Sequence, residues 1–296
     1  MMGRSFRESG KLQMGPPGMI LVVIDAMRPD ALSDRTTPNL CRLMDHGAWT
    51  LKAQTVFPSL TLPVHFSIFT SVPPSRHGVL NNCDRPQPAG DTVSLLDVLA
   101  RHGKYSSAFY NWENLRALGK PGSLRYCLFS SPEGDPDSDY RMAASAASFI
   151  RRRHPDFCFL YLGTVDLVAH SHGFMSPAYM KQLEKADAAV GYLVRTLSES
   201  GLDQRYNLLV QSDHGGRGHD HEASHPEVLT IPWICRGPSI REDCPIEGPV
   251  SVLDTAPTIC RLMELAQEDP PWEGRPLQQI FEKHKTKTAW TMERAM

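Results

Sequence analysis

The chain has 296 residues, 41% of them hydrophobic and 22% charged, with a formal net charge of −2. Those values suit one large or two modest globular domains with ample core, and they exclude a disordered, collagen-like or coiled-coil chain. Without a basic excess nothing is available to neutralise a phosphate backbone, so binding to nucleic-acid polymers is not expected.

Residues 1–18 are polar and rich in Gly and Pro, and read as a loose leader with no apolar stretch of signal-peptide length. Met19 to Ile24 (MILVVI) is the longest apolar run, too short to span a bilayer, so no membrane segment is expected. It reads as a strand buried on both faces and ends at Asp25. A helix is predicted over Asn39 to His46, with Pro38 in its first turn and Gly47 closing it. Ala48 to Phe57 is strand-like, Pro58-Ser59 breaks it, and Thr61 to Thr70 is helical. Val93 to His102 is an amphipathic helix stopped by Gly103, and Tyr105 to Tyr110 a strand. Residues 111–137, rich in Gly, Pro and Ser, read as an irregular insertion. Then come a helix (Ser138 to Arg153), a strand (Phe157 to Leu162), a long helix (Ser176 to Ser200), two strands (Tyr206 to Val210, Leu229 to Ile234) and a helix over Val252 to Leu265. Residues 283–296 form a polar tail. Strands alternating with helices predict an α/β layered fold with a largely parallel central sheet flanked by helices, a single domain over 19–282. Seven cysteines, an odd number without CxxC spacing, read as reduced thiols of a cytoplasmic protein.

Ligands of open parallel sheets gather beyond the carboxyl ends of the strands. Three apolar runs end close to an aspartate: MILVVI before Asp25, FCFLYLGTV before Asp166 and YNLLVQS before Asp213. As neighbours in a sheet they would bring three carboxylates to one rim. His170 follows Asp166 at four residues, His214 follows Asp213 directly, and His219, His221 and His225 lie in the Gly-rich stretch SDHGGRGHDHEASH. Carboxylates and imidazoles without thiolates are a donor set for catalytic Zn²⁺ or Mn²⁺. Thr61, in FPSLTLPVHF, opens a helix, where free N–H groups and positive potential favour both an alkoxide and a bound phosphate. Taken singly, each feature has a plainer role: a turn-forming Asp, an N-capping Thr, a solvated histidine loop.

Taken in order, Asp25, Thr61, Asp166-x-x-x-His170, Asp213-His214 and a later histidine resemble the alkaline phosphatase superfamily. The chain is most similar to its nucleotide pyrophosphatase/phosphodiesterase branch. The likeness runs from about Met19 to Leu277 and takes in TLPVHFSIFTSVPPSRHGVLNN, the helix after DLVAHSHG, and SVLDTAPTICRLMEL…WEGRPL. The resemblance implies an alkaline-phosphatase-like layered sandwich holding two divalent metal ions, with Zn²⁺ favoured over Mn²⁺. Asp25, Thr61, Asp213 and His214 would hold one ion; Asp166, His170 and a third histidine would hold the other. His221 best fits that third position, with His219 and His225 as alternatives. Thr61 is the implied nucleophile, and Asn82, with Asn81 as its competitor, the implied amide contact to a phosphoryl oxygen. The implied substrate is a small phosphate ester, a phosphodiester or phosphonate-type ester ahead of a monoester, cleaved through a phospho-threonine intermediate. A phosphomutase or phosphotransferase of the same superfamily is the alternative.

Departures from the pattern bear on substrate. Relatives often carry Phe directly after the nucleophile, where it stacks on a nucleobase, and here that residue is Leu62. Sulfatases need Cys/Ser-x-Pro-x-Arg, whereas this chain reads Thr61-Leu62-Pro63-Val64-His65. His65, His77 and Asp254 are read as structural, and His172 as either a loop residue or one that orients His170. Arg28 and Asp30 are read as either a phosphate contact or an ion pair.

Overall fold

The computed structural model describes residues 16–265 and 270–281. The tail read over 283–296, and the leader up to residue 15, lie outside the described residues. The chain begins with β1 (Gly18–Ile24), α1 (Pro38–Asp45), β2 (Ala48–Gln54), α2 (Thr61–Thr70), α3 (Pro74–His77) and α4 (Leu95–Arg101). It continues with β3 (Ser106–Tyr110), β4 (Tyr126–Phe129), α5 (Ser138–Arg153), β5 (Phe157–Leu162), α6 (Thr164–His172) and α7 (Pro177–Glu199). It closes with β6 (Tyr206–Gln211), α8 (Pro226–Leu229), β7 (Thr230–Arg236), β8 (Cys244–Pro245) and α9 (Thr255–Leu262).

All the strands join one sheet in the order β4-β3-β5-β1-β6-β7-β2-β8. Strands β4, β3, β5, β1 and β6 are parallel, β8 is parallel to β2, and β7 alone runs against its neighbours β6 and β2. The period of two along β1 and β5 divides the core into two layers. Met19, Leu21, Val23, Phe157, Phe159 and Tyr161 face one core with α2, α4 and α9. Ile20, Val22, Ile24, Cys158, Leu160 and Leu162 face the other with α1, α5 and α7, whose Tyr179, Leu183, Ala186 and Val190 form the stripe read from sequence. Both faces are covered, which is why these central strands are apolar throughout.

Several element readings change, and the helix α6 (Thr164–His172), which carries Asp166 and His170, is not among the predicted elements. Residues 111–137 hold a 3₁₀ turn (Glu113–Leu118) and the edge strand β4. β4 pairs on one side only and is largely exposed, so it carries no burial pattern to outweigh its Gly- and Pro-rich surroundings. β2 stops at Gln54 rather than Phe57, because its partner β7 begins at Thr230, opposite Gln54. The last helix opens with a 3₁₀ turn, Val252–Asp254, before α9, and Asp254 caps it by accepting the Ser251 N–H (2.9 Å).

This topology places the site. β5, β1 and β6 are adjacent and parallel, so Asp25, Asp166 and Asp213 emerge on one rim. β2 runs in the same sense, and its exit through Pro58 to Leu60 delivers α2 to that rim. Among the described residues, no helix is long and apolar enough to cross a membrane.

Candidate metal centre and active site

Asp25 and Asp213 each commit one oxygen to a protein donor and turn the other into a shared space. Asp25 Oδ2 accepts the Tyr161 hydroxyl, and Asp213 Oδ1 accepts the N–H groups of Ala26 (3.2 Å) and His214 (2.9 Å). Asp25 Oδ1 and Asp213 Oδ2 are buried without a hydrogen-bond partner. His214 donates Nδ1–H to the Gly215 carbonyl (2.8 Å), which fixes its tautomer and frees the Nε2 lone pair. That nitrogen lies 3.2 Å from Asp25 Oδ1, 3.6 Å from Asp213 Oδ2 and 3.5 Å from Thr61 Oγ1.

A second group repeats the arrangement. His170 donates Nδ1–H to His219 O (2.7 Å), and His221 donates Nδ1–H to Ser59 O (2.8 Å). Their Nε2 atoms, both left bare in the neutral rings, face each other at 3.2 Å. Asp166 stands 3.4 Å from His170 Nε2 and 3.8 Å from His221 Nε2, and its Oδ1 is again a buried oxygen without a partner. Two lone pairs pointed at one another repel unless a proton or a cation lies between them. Ligands on tetrahedral bonds of the usual zinc length sit about 3.3–3.6 Å apart, and these spacings, 3.2–3.8 Å, bracket that range. Asp166 also lies close to Asp25 and His214, so the two groups are contiguous. The donor set fits divalent metal.

Electrostatics agrees with geometry. Burial, then the charges of Asp213 and Asp166, holds the Asp25 carboxyl well above its usual range, and burial raises Asp213. Burial also pushes Asp166 up, but the imidazoles of His170, His214 and His221 outweigh it and hold it low. The hydrogen bond to Asp166 lifts His170 to about 9, while burial drops His221 to about 4 and lowers His214. No Lys or Arg is among the groups acting most strongly on the three aspartates. Uncompensated buried carboxylates each cost several kcal/mol, on the order of what a bound cation returns.

Local sequence explains the placement. α2 is buried at every residue, so the nucleophile candidate sits on a fixed element. Its N-cap, Leu60, has no side-chain acceptor, and Pro63 lies in the first turn, where a missing N–H costs nothing. Asn82 Oδ1 accepts the Leu62 N–H (2.9 Å), which brings the Asn82 amide to the Thr61 end of the helix. Ala26, directly after Asp25, holds a left-handed backbone (φ 61°), strain of the kind found beside functional groups. In the loop after His214, a Cβ on Gly215 would meet Glu227 O at 2.1 Å and one on Gly216 the Phe174 ring at 2.0 Å, so only glycine fits. Beneath Asp166, Asp139 accepts Asn111 Nδ2 (2.7 Å) and both the N–H and hydroxyl of Thr164, bracing the start of α6.

The structure thus gathers Asp25, Thr61, Asp166, His170, Asp213, His214 and His221. His219 supplies a carbonyl to His170, and His225 caps α8; neither ring joins the group. The ring of His170 is oriented by that carbonyl, not by His172. Arg28 pairs with Asp30 (2.6 Å) and donates to Gly216 O (2.8 Å). Leu62 is fully buried in the core, so the residue after Thr61 offers no stacking platform. Sequence reasoning missed Tyr161 and Asp139; the hydroxyl ending the otherwise apolar strand FCFLYL was the available signal for Tyr161.

The fold is that of the alkaline-phosphatase-like α/β sandwiches. Murine ectonucleotide pyrophosphatase/phosphodiesterase 5, solved as an inactive variant with AMP, superposes at a TM-score of 0.73 over 87% of this chain and 97% of that one, at 16% identity. A 2-O glycosaminoglycan sulfatase, BT1596, does so at 0.72 over 90% of this chain and 76% of that one, at 12% identity. The sequence profile of the type I phosphodiesterase / nucleotide pyrophosphatase family matches residues 19–227, and the chain belongs to that family. Rat ectonucleotide pyrophosphatase/phosphodiesterase family member 1 is 27% identical over 220 residues, 67% of this chain and 24% of the relative. The venom phosphodiesterase of Crotalus durissus collilineatus is 26% identical over 214 residues, 67% of this chain and 26% of the relative. The chain therefore spans about a quarter of the length of these curated relatives.

Proposed function

We propose that the chain is a two-metal phosphohydrolase that cleaves small phosphodiesters or phosphonate-type esters through Thr61. The observation that carries this reading is the convergence of three partnerless aspartate oxygens and the Nε2 atoms of three imidazoles beside one threonine hydroxyl. Asp25, Thr61, Asp213 and His214 would hold one divalent ion, and Asp166, His170 and His221 the other, with Zn²⁺ favoured over Mn²⁺ by the imidazole content. Ions bound there supply positive charge that eases loss of the threonine proton and stabilises the departing oxygen.

Thr61 Oγ1 forms its bond to phosphorus as the bond to the leaving alcohol breaks, and the alcohol departs with a proton. Water then cleaves the phospho-threonine, restoring the hydroxyl and releasing a phosphomonoester. The backbone N–H of Thr61, at the start of α2, and the side-chain NH₂ of Asn82, whose oxygen holds the Leu62 N–H, bind the non-bridging oxygens, whose charge must be stabilised in the transition state. A diester is preferred over a monoester because no Lys or Arg stands out beside the aspartates to offset a second phosphate charge. No disulfide joins cysteines among the described residues, which supports a reducing, cytoplasmic setting, to be checked by cell fractionation.

Metal analysis combined with p-nitrophenyl phosphomonoester, phosphodiester and phosphonate substrates tests the reading. It requires two equivalents of metal and diester turnover abolished by chelation. Full turnover in metal-stripped protein would refute it, as would monoester hydrolysis outpacing that of diesters for the stated preference.

A further inference from the structure

We infer that His65 is a positioning residue for the nucleophile, bracing the first turn of α2 through the Thr61 carbonyl at the point where that turn lies beside the Asp213 carboxylate. The inference rests on the reading of Thr61 just given. His65 lies one turn beyond Thr61 and is 0% exposed. Its Nδ1 is 2.7 Å from the Thr61 carbonyl and 3.6 Å from Asp213 Oδ2. A carbonyl only accepts, so Nδ1 carries the proton, and Nε2 of the neutral ring is left as a bare acceptor. That Nε2 is buried and without a partner.

Packing alone does not account for such a residue. An unmet buried acceptor is unfavourable, and Phe or Leu would fill the same space beside Phe159 and Tyr161 without it. What the imidazole adds is a donor directed at the nucleophile's own backbone, with a metal-group carboxylate in reach of the same nitrogen. Tyr161 meets the His65 ring edge-on, with centroids 5.2 Å apart at 74°, and its hydroxyl donates to Asp25. The two aspartates of the first group are thus approached by two rings in mutual contact, and one of those rings, His65, is itself part of α2 and bonds back to its first turn. The tilt of that first turn sets where Thr61 Oγ1 stands relative to His214 and Asp213.

Two variants separate positioning from packing: His65→Phe keeps the volume and loses the donor, while His65→Asn keeps a donor near Nδ1. Both are compared with the parent chain by thermal melting, by Zn²⁺ titration of metal-stripped protein against a chromophoric chelator, and by bis-p-nitrophenyl phosphate kinetics. His65→Phe is expected to melt cooperatively and bind one of its two zinc equivalents about 10–100-fold more weakly. Its kcat should fall about 100-fold with KM held within about threefold. His65→Asn should recover most of both losses. The inference is overturned if a folded His65→Phe keeps the parent's zinc affinity, or if His65→Asn does no better than His65→Phe. Should the parent chain bind zinc but not turn over diester, the proposed activity fails while the zinc titration still judges His65.

Discussion

Asp25, Asp213 and His214 hang from the ends of β1 and β6 and are closed to solvent, whereas Asp166 and His170 ride on α6 and the His170 side chain is 44% exposed. The first group is held by fixed donors: the Tyr161 hydroxyl and the backbone N–H groups of Ala26 and His214. The second depends on a loop, since His221 and the His219 carbonyl both belong to the segment between β6 and β7. Charge acts most strongly where water is excluded, so the closed half suits activation of a hydroxyl. The open half suits a departing group and an entering water. Thr61 stands against the closed half, 3.5 Å from His214.

Removing the oxygen proposed to react, which stands against the closed half, should give the largest effect. Thr61→Ala should lower kcat toward bis-p-nitrophenyl phosphate on the order of 10⁴–10⁶-fold, the scale on which a lost nucleophile is felt. Bound metal measured by mass spectrometry should fall by less than one equivalent, because the aspartates and histidines remain. The ligands themselves come next. Asp213→Asn should deplete metal from the closed half and His170→Ala from the open half, each weakening one equivalent by about 100-fold or more. Dialysis against graded chelator should strip the open half first. If both equivalents leave together at every chelator concentration, the halves are not distinct and the comparison fails.

A smaller effect tests what supports the open half. Asp139 is fully buried, with a carboxyl pushed up by burial and hydrogen bonds to Asn111 and Thr164 at the start of α6. Asp139→Ala should cost about 2–3 kcal/mol in urea unfolding, since it strands buried donors. It should also weaken only the equivalent held by Asp166. Asp187 offers a control away from the site: it accepts the Asn39 and Leu40 N–H groups at the start of α1 (3.2 and 2.8 Å). Asp187→Ala should cost about 1–2 kcal/mol, as a lost helix cap does, and leave both metals in place.

The sequence carried much of this because strand ends are legible. An apolar run ending at an aspartate marks a rim, and β5, β1 and β6 are buried on both faces, so their pattern had no competitor. The helix start and the Gly-rich loop drew attention to Thr61 and the histidines, and the resemblance then assigned their roles, which periodicity cannot do. Groups that act through tertiary contact were not legible. Tyr161 looks like any core aromatic until β5 pairs with β1 and sets its hydroxyl on Asp25. Asp139 looks like a first-turn helix acid until the start of α5 meets Thr164 at the start of α6. Edge strand β4 was hidden for a different reason: exposed on one side, it lacks the burial that writes a pattern into sequence.

His77 gives the finest test, because it is a buried histidine outside both halves. Its Nδ1 accepts the Val79 N–H (3.1 Å), so the proton lies on Nε2, 3.0 Å from Ser67 Oγ. Protonating Nδ1 would set a donor against a donor, and burial already drives its pKa down to about 4. A histidine in the unfolded chain titrates near about 6.5. Between those values the unfolded state holds the extra proton, so the contribution is complete above pH 6.5 and is lost as pH falls toward 4. The loss amounts to about 1.4 kcal/mol per pH unit over that window. In metal-stripped protein His214 and His221, both lowered, add slopes of the same sign, and the raised Asp25, Asp213 and His170 add slopes of the opposite sign; bound metal would keep protons off all of them. His77→Gln should therefore remove one proton's worth of slope from urea midpoints between pH 7 and 5 whether or not metal is bound. Restoring metal to the parent should flatten the remainder and leave the His77 share behind. A variant whose slope matches the parent's in both states would show that His77 does not carry this titration.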